Sequence, residues 1–471
     1  MNALHVLPFV LILAAALRLP DLADRPMHAD EAIQAERFAT LLTAGEFQYD
    51  PAEYHGPALL LATLPAALAG GRGTLASLDE TLLRSVPTVF GLVVVALSYC
   101  LAGQFNPGAG LAAAALSAVS PGLVYFSRFY IPEMLLVCFT AWLLWAVIQY
   151  CARPSLLLAL AAGISGGLAF ATKETAVLSF LALAAALPLL KPTPRLAHAA
   201  AAIASAAVTI AVLFTLMGRQ PEVLLNTIIS PAVYFQRVIT GSSHSQPFGY
   251  YLSTAVSSGE GWVLLPALAG AAYRWKTSQQ IRFWTVYAVT LLVLCSVLRY
   301  KTPWTSLPAI HAFLVLAGVV AVSCLTSRAA LVTASAVVLT LACQAYRLNY
   351  PLVIAASNPW AYAPTTRDVV AISQTILQFS AEGQNRVQII SAENLWPLPW
   401  YLRGLSSVEW SRTIPHGIDP APLILLTPLT EADVAEYIYE DPRPGRRHLY
   451  MNAFDQTMFL RPGMELRGYK R

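Results

Sequence analysis

The sequence predicts a multi-span α-helical membrane protein with about 11 transmembrane helices and a C-terminal α/β domain. The 471 residues have a mean hydropathy of +0.56 and only 12% of them are charged, whereas soluble domains carry roughly 25% charged residues. Residues 346–471 nevertheless hold 12 of the 30 Lys and Arg and 12 of the 26 Asp and Glu, a density nearer that of a soluble protein. We therefore expect a transmembrane body at 1–345 and a soluble domain at 346–471.

Apolar segments long enough to cross a bilayer, at roughly 17–25 residues each, recur along the body. They lie near residues 3–19, 82–103, 109–127, 133–150, 155–172, 174–190, 197–217, 256–273, 283–298, 306–324 and 329–345. Two further apolar segments, 56–70 and 222–240, are interrupted by Pro65 and Pro231. We expect both to be helices that lie at the membrane interface rather than spans.

The distribution of basic residues predicts the orientation of the chain. An odd number of spans places the two termini on opposite sides of the membrane. The positive-inside rule assigns to the cytoplasm the short connections that contain Arg153, Lys191, Arg195, Arg274, Lys276, Arg282 and Arg328 and no acid. We therefore expect a multi-pass protein of the inner (cytoplasmic) membrane, with the first loop, 20–81, and the domain 346–471 on the extracytoplasmic side.

The C-terminal domain alternates strand and helix signals. Strands are predicted at 386–391, 406–411 and 423–427, and a helix at 430–441, which together favour a small α/β sandwich. The stretch "ENLWPLPWYLRG" (393–404) has the composition of an exposed aromatic surface. It is predicted to pack against another part of the protein or the membrane, with stacking on sugar faces as the alternative.

The acids of the transmembrane body are concentrated in the first outer loop. Ten of its 14 Asp and Glu residues lie within 21–80, and the other four are Glu133, Glu174, Glu222 and Glu260. On the predicted topology all 14 face the outer side. Because ionisable groups at membrane depth are costly and usually mark a site or a pathway, we expect the functional site on this side.

The stretch "HADEAIQAERFATLLTAG" predicts a helix that begins near Asp30 and ends at Gly45. Glu31 falls on the apolar side of this helix, and Asp30, about 100° away around the axis, can face an open space. The structural alternative is that Asp30 serves only as the N-cap. The other acids on this face, with histidines at both ends of the stretch, favour a functional role.

Three motifs at the outer ends of spans carry basic residues. They are "SRFYIPEMLL" with Arg128, "GLAFATKET" with Lys173, and "LRYKTPW" with Arg299 and Lys301. Taken singly, each has a structural alternative: interfacial snorkelling, a neutralised turn or an aromatic-belt anchor. Together, on the acid-rich side, they favour a site for an anionic headgroup.

Several classes of function find no support in the sequence. No run of Lys and Arg indicates a nucleic-acid partner, and there is no Gly-rich phosphate loop or nucleophile elbow. The six cysteines form no CxxC pair and lie in or beside apolar segments, so they are predicted to be buried hydrophobic residues. No cofactor is firmly predicted, and a divalent metal is left open with no residues assigned to it.

These motifs resemble those of the GT-C superfamily of membrane glycosyltransferases, which includes the protein O-mannosyltransferases and the aminoarabinose transferase of lipid A. They are most similar to a bacterial and archaeal branch labelled flippase-activity-associated protein or predicted membrane mannosyltransferase. The resemblance is carried by "HADEA", "YDPAEYHGP", "SRFYIPEMLL", "GLAFATKET", "RYKTPW" and "PLPWYLRG", and it runs from residue 18 to about residue 410.

The resemblance implies an inverting transfer from a polyprenyl-phosphate-sugar donor on the outer face. It implies that the general base is an acid of the first outer loop, which here is Asp30 with Glu31 beside it. It also implies that Arg128, Lys173 and Lys301 hold the lipid phosphate, and Arg299 joins them by position. Further pocket residues are predicted at His28, Tyr54, His55, Glu133, Glu174 and Trp304.

The required chemistry agrees with these residue types. A base must take the proton of the acceptor hydroxyl, and the leaving phosphate needs positive charge rather than protonation. We therefore predict a hexosyl- or mannosyltransferase-like enzyme that acts in the bilayer on an extracytoplasmic protein, lipid or glycan. The alternative is a flippase accessory or transporter that handles lipid-linked sugars without chemistry. A one-sided gathering of ionisable groups disfavours it, because alternating-access carriers place them near the midplane.

Overall fold

The chain folds into two compact units. The computed structural model describes residues 3–47, 49–191, 193, 195–240, 244–324, 327–381, 387–391, 395–413, 423–426, 447–452 and 466–470. The helical unit comprises Met1–Leu22, Thr40–Arg72 and Thr81–Tyr362. The mixed unit comprises Ala23–Ala39, Gly73–Glu80 and Ala363–Arg471.

Helices dominate the chain up to the end of the helical unit. They are α1 (Ala3–Ala16), α2 (Ala29–Ala44), α3 (Ala58–Ala69), α4 (Glu80–Gly103), α5 (Pro107–Val119), α6 (Pro121–Ser127), α7 (Glu133–Ala152), α8 (Leu156–Thr172), α9 (Ala176–Ala186), α10 (Leu196–Phe214), α11 (Val223–Thr240), α12 (Tyr250–Ser257), α13 (Gly261–Arg274), α14 (Gln279–Val297), α15 (Leu307–Cys324) and α16 (Arg328–Asn349). Short 3-10 turns lie at Leu75–Ser77, Leu187–Leu190 and Pro303–Ser306.

Several of these helices are long and apolar enough to cross a membrane. Among the described residues there are six: α4, α7, α10, α14, α15 with the 3-10 turn before it, and α16. The bent pair α5 and α6 makes a seventh if it is counted as one span, and five further apolar helices are shorter. The multi-span helical architecture is thus confirmed, whereas the total of about 11 spans stays a prediction.

Two predicted spans are broken in the structure. The segment 109–127 bends by 61° between α5 and α6, because Ser120 leaves the helical conformation and caps α6, which begins with Pro121. The segment near 256–273 contains the end of α12 and most of α13. Gly259, with a φ of +93°, separates these two helices.

Small residues let the helices approach one another closely. A Cβ atom on Gly163 of α8 would lie 2.1 Å from the carbonyl oxygen of Ala202 of α10. At Gly167, one turn later in α8, a Cβ atom would lie 2.8 Å from the carbonyl oxygen of Ala206. This close contact between backbones is typical of helix packing in membranes, where no hydrophobic force drives the helices together.

The mixed unit contains a five-stranded sheet. Its helices and strands are α17 (Arg367–Ala381), β1 (Val387–Ile390), α18 (Leu398–Tyr401), β2 (Val408–Ser411), β3 (Leu423–Leu426), β4 (Arg447–Asn452) and β5 (Leu466–Lys470). The strand order is β2-β1-β3-β4-β5; the first three pairings are parallel and β4 pairs with β5 in antiparallel fashion. The predicted strands at 386–391, 406–411 and 423–427 correspond to β1, β2 and β3, and the predicted helix at 430–441 lies outside the described residues.

One face of α17 and the strand β1 form the core of the mixed unit. Val369 and Ile376 of α17 pack with Val387 of β1, and Leu398 and Leu402 join the same buried cluster. Trp400 is also buried, and its Nε1 donates to Glu80 at 2.8 Å. This tryptophan of the aromatic stretch is therefore packed rather than exposed, because a large apolar ring is more stable away from water.

The units do not divide at the predicted boundary between 345 and 346. The helical unit extends to Tyr362, because α16 continues to Asn349 and the hydroxyl of Tyr125 donates to the carbonyl of Val353 at 3.0 Å. The mixed unit includes two stretches of the first loop, 23–39 and 73–80. A single cut in the sequence cannot assign such stretches, since long-range contacts determine their membership.

Candidate functional site

The start of α2 carries the acid pair that the sequence singled out. His28 precedes the helix, and its Nδ1 accepts a hydrogen bond from the backbone N–H of Asp30 at 3.1 Å. The side chain of Glu31 accepts one from the backbone N–H of His28 at 3.0 Å. This reciprocal pattern is that of a capping box, with a histidine in the place usually taken by Ser or Thr.

The side chain of Glu31 lies in the interior of the mixed unit and makes structural contacts there. Its side chain is completely buried, and the guanidinium of Arg25 contacts its Oε1 at 3.2 Å. A buried carboxylate is tolerated only when it is paired and hydrogen-bonded, and Arg25 and the His28 N–H meet that condition. Glu31 thus holds the first turn of α2 in place beside Asp30.

Asp30 has a different environment from its neighbour. Its side chain is half-buried, and within the described part of the chain its carboxylate makes no hydrogen bond. The N-cap role, which was the structural alternative for Asp30, is taken by His28. The carboxylate lies in the first turn of α2 and takes no part in the cap, so its oxygens are available to an acceptor hydroxyl.

A second set of ionisable groups lies in the helical unit, around Glu174, which is in the short connection between α8 and α9. Glu174 is buried, and its two oxygens accept hydrogen bonds from Tyr49 Oη at 2.9 Å and from His55 Nδ1 at 2.8 Å. Burial by itself raises the pKa of Glu174, but the charge and hydrogen bond of His55, with those from the backbone and Tyr49, outweigh it and lower the pKa. Glu174 is therefore an ionised carboxylate inside the protein.

The turn that carries His55 is fixed by its neighbour Gly56. A Cβ atom on Gly56 would lie 2.1 Å from the carbonyl oxygen of Ala171, near the end of α8. Only glycine permits this approach, which brings His55 up to Glu174. Tyr54, which precedes His55 in the chain, is half-buried.

We expect Gly56→Ala to destabilise the protein. The new methyl group would overlap the backbone at Ala171, and overpacking of this kind costs about 1–3 kcal/mol. Thermal unfolding in detergent measures the effect. Gly166→Ala in α8 is the matched control, because a Cβ atom there meets nothing within 4 Å. Equal stability of Gly56→Ala and wild type would show that the turn does not need its glycine.

Lys173 and Glu133 form a separate buried ion pair. The Lys173 Nζ lies 2.5 Å from the Glu133 Oε1, and both side chains are almost inaccessible. Glu133 is the first residue of α7, where a carboxylate is favoured by the helix dipole. Its other oxygen, Oε2, is buried and has no hydrogen bond within the described residues. Lys173 is thus neutralised by Glu133 rather than by its neighbour Glu174.

The guanidinium of Arg128 contacts the backbone at the beginning of the first loop. It donates to the carbonyls of Arg18 at 2.9 Å, Pro20 at 2.5 Å and Asp21 at 3.2 Å. It also donates to the hydroxyl of Tyr350 at 3.1 Å and lies 4.5 Å from the centre of that ring. These contacts hold the chain that leaves α1, so the geometry supports a structural role for Arg128.

Lys301 and Arg299 are the remaining basic residues of the predicted anion site. The Nζ of Lys301 donates to the carbonyls of Gln246, at 2.9 Å, and Leu298, which leaves one of its three N–H groups. Burial lowers the pKa of Lys301. Arg299 is exposed, and its side chain has no partner among the described residues. Trp304 is buried against the aromatic residues Phe126 and Phe129.

Within each unit the structure brings together some of the predicted residues. In the mixed unit His28, Asp30 and Glu31 share the first turn of α2, and in the helical unit His55 joins Glu174 and Lys173 joins Glu133. Sequence reasoning missed Arg25 and Tyr49, although both lie within or beside the acidic first loop. No group of three or more His, Cys, Asp or Glu residues in the described ranges is arranged to hold a metal ion.

Comparisons with known proteins bear on the fold. A family model described as dolichyl-phosphate-mannose-protein mannosyltransferase matches residues 64–218. No curated protein matches the chain in sequence.

Solved structures match nearly the whole chain. ArnT from Cupriavidus metallidurans bound to undecaprenyl phosphate is 16% identical and has a TM-score of 0.63, and the match covers 94% of this chain and 92% of that one. The oligosaccharyltransferase AglB from Archaeoglobus fulgidus, in complex with an inhibitory peptide and a dolichol-phosphate, is 14% identical with a TM-score of 0.55, over 95% of this chain and 69% of that one. The chain therefore shares the fold of ArnT and AglB, and its residues 64–218 match the mannosyltransferase family model.

Proposed function

We propose that this protein is a membrane glycosyltransferase that moves one sugar from a polyprenyl-phosphate donor to an acceptor hydroxyl, with inversion at the anomeric carbon. The observation that carries the proposal is the state of Asp30. His28 and Glu31 complete the helix cap, and Asp30 is left with a carboxylate that makes no hydrogen bond in the described residues. A partly exposed carboxylate that makes no structural contact is what a general base requires.

Each step of the proposed reaction uses one kind of group. The Asp30 carboxylate accepts the proton of the acceptor hydroxyl as its oxygen attacks the anomeric carbon of the donor. The bond between that carbon and the phosphate oxygen breaks, and the lipid phosphate leaves with the electron pair. Because the phosphate leaves as an anion, positive charge rather than an acid must stabilise it. The donor class is supported by the lipid phosphates bound to ArnT and AglB.

We assign the positive charge first to Lys301 and Arg299. Within the described residues, Lys301 uses two of its three N–H groups and the Arg299 side chain has no partner. Arg128 and Lys173 are already engaged with backbone carbonyls and with Glu133, so their direct contact with the lipid phosphate stays a prediction. The sugar is predicted to be a hexose of the mannose type. We also propose the inner membrane as the location and the extracytoplasmic side for the C-terminal domain.

We expect Lys301→Met to weaken the binding of a polyprenyl phosphate about 10- to 100-fold, since a hydrogen bond to a charged group contributes about 1.5–3 kcal/mol. Isothermal titration of the purified protein in detergent measures this affinity, and thermal unfolding verifies that the variant is folded. Lys276→Met, which removes an exposed lysine, is the control and should bind as wild type does. Equal affinity of Lys301→Met and wild type would contradict the assignment.

Transfer itself is tested with purified protein in liposomes. Polyprenyl phosphates that carry different labelled hexoses are supplied with membrane extract as the source of acceptors. We predict that at least one label moves into a new glycosidic bond. Movement of the lipid-linked sugar across the bilayer with no new bond would favour the flippase or transporter alternative.

A further inference from the structure

The buried carboxylate of Glu174 needs a positive partner. Its side chain is 2% exposed, and an ionised carboxylate in that environment is stable only beside a positive charge or several donors. The adjacent Lys173 contacts Glu133 instead, at 2.5 Å. Among the described residues, the cationic group that contacts Glu174 is His55, whose Nδ1 lies 2.8 Å from its Oε2. An imidazole with a proton on each nitrogen could donate to Glu174 through Nδ1 and to a second anion through Nε2.

The other nitrogen of His55 faces away from Glu174. When both ring nitrogens carry protons, both are donors, and the bond to Glu174 uses only Nδ1. Within the described residues Nε2 makes no hydrogen bond, and the side chain is 22% exposed. Glu174, which also accepts a hydrogen bond from Tyr49, therefore holds the ring of His55 through Nδ1.

We propose that His55 is an anion-binding residue whose Nε2–H donates to a phosphate oxygen, with Glu174 as the residue that positions its ring. The chemical class of ligand is a phosphate monoester or free phosphate. Its identification as the lipid phosphate of the donor rests on the proposed function. Sequence reasoning placed His55 only in the general pocket and sought the phosphate contacts among Lys and Arg, so this assignment adds a histidine to the anion site.

The environment of the pair suits this role. The rings of Phe47, Tyr49 and Phe214 pack together on the side of Glu174, with ring centres 5.0 to 6.3 Å apart. This aromatic cluster holds Tyr49, whose hydroxyl donates to Glu174 at 2.9 Å. The ring of Tyr234 lies 6.4 Å from that of His55. The imidazole is thus held at Nδ1, while its side chain stays partly exposed.

The test measures binding without sugar transfer. The full-length protein in detergent is titrated with a short-chain polyprenyl phosphate and, in a separate series, with inorganic phosphate. We expect His55→Gln to bind the lipid phosphate about 10- to 100-fold more weakly than wild type, through loss of one charge-assisted hydrogen bond. Glu174→Gln should weaken binding as well, because it removes the carboxylate that orients the His55 ring through Nδ1. His5→Gln, which changes an exposed histidine, is the control.

A double variant separates a shared mechanism from two structural losses. If Glu174 acts through His55, the double variant His55→Gln/Glu174→Gln should bind about as weakly as His55→Gln alone, rather than showing the product of the two effects. If Glu174→Gln does not fold, because a change inside the protein can prevent folding, the phosphate affinity of His55→Gln alone tests the inference. Wild-type affinity in a folded His55→Gln variant would overturn the inference.

The outcomes also distinguish this inference from the proposed function. Phosphate binding that depends on His55 in a protein that transfers no sugar supports the inference and overturns the function. Sugar transfer by a protein whose phosphate affinity is unchanged in His55→Gln supports the proposed function and overturns the inference. His55-dependent binding of inorganic phosphate, with none of the lipid, supports the anion contact and assigns it to a free phosphate. Absence of binding to either ligand by wild type overturns the inference.

Discussion

Replacing Asp30 with Asn is expected to lower the rate of sugar transfer about 10²- to 10⁴-fold, the range that a general base contributes. The amide has nearly the shape of the carboxylate but cannot accept the proton of the acceptor hydroxyl. The fold should be unaffected, since the Asp30 side chain makes no hydrogen bond within the described residues. Transfer of a labelled sugar in liposomes measures the rate, and thermal unfolding verifies stability.

The control for this variant is Glu36→Gln, which makes the same chemical change at an exposed acid of the same helix. It should transfer sugar at the wild-type rate. Asp30→Asn should also bind the polyprenyl phosphate as tightly as wild type, because the carboxylate is assigned no part in holding the donor. Full transfer by Asp30→Asn would contradict its role as the base.

Lys173→Met is expected to destabilise the protein more than Gly56→Ala does. It removes the cation that contacts Glu133 at 2.5 Å and leaves a buried carboxylate without its partner. Breaking one side of a buried ion pair costs about 3–5 kcal/mol, and Glu133 already has one oxygen without a hydrogen bond in the described residues. The free energy of unfolding in detergent measures the loss.

A second variant shows whether the uncompensated charge is the cause. Lys173→Met/Glu133→Gln removes both charges, so it should recover much of the stability that Lys173→Met loses. Lys276→Met, at an exposed position, should change stability by less than about 0.5 kcal/mol. If the double variant were less stable than Lys173→Met, packing of the lysine stem rather than charge would explain the loss.

Local sequence signals predicted the local structure well. The helix that begins near Asp30 and ends at Gly45 is α2, which runs from Ala29 to Ala44, and Gly45 adopts the left-handed φ of +69° expected of a helix end. The strands β1 to β3 were also visible, because alternation and turn residues act over a few positions. The cap was not predictable in detail, since histidine is an unusual residue in that position.

The pairing of charged residues was beyond sequence reasoning. Lys173 and Glu174 are adjacent and suggested a mutually neutralised turn, yet Lys173 pairs with Glu133 and Glu174 with His55. These partners are 40 and 119 residues away in the chain. Such contacts depend on how the helix ends pack together, and local sequence patterns do not predict that packing.

The contacts of Arg128 with the backbone could not be predicted from the sequence either. Its position among aromatic residues at the end of α6 suggested an anion site, and in the structure it also donates to the carbonyls of Arg18, Pro20 and Asp21. Every residue has a backbone carbonyl, so contacts of this kind cannot be predicted from the sequence. The contact of Arg128 with a lipid phosphate stays a prediction.

The most direct test of Asp30 as the base is the balance between two products of the purified wild-type protein. Liposomes that contain the labelled polyprenyl-phosphate sugar and an acceptor are analysed for free polyprenyl phosphate and for the new glycosidic bond. We predict that the two appear in equal amounts, that the anomeric configuration is inverted, and that Asp30→Asn forms both about 10²- to 10⁴-fold more slowly. Retention of configuration, or a new bond formed equally well by Asp30→Asn, would contradict the assignment of Asp30 as the base in a single displacement.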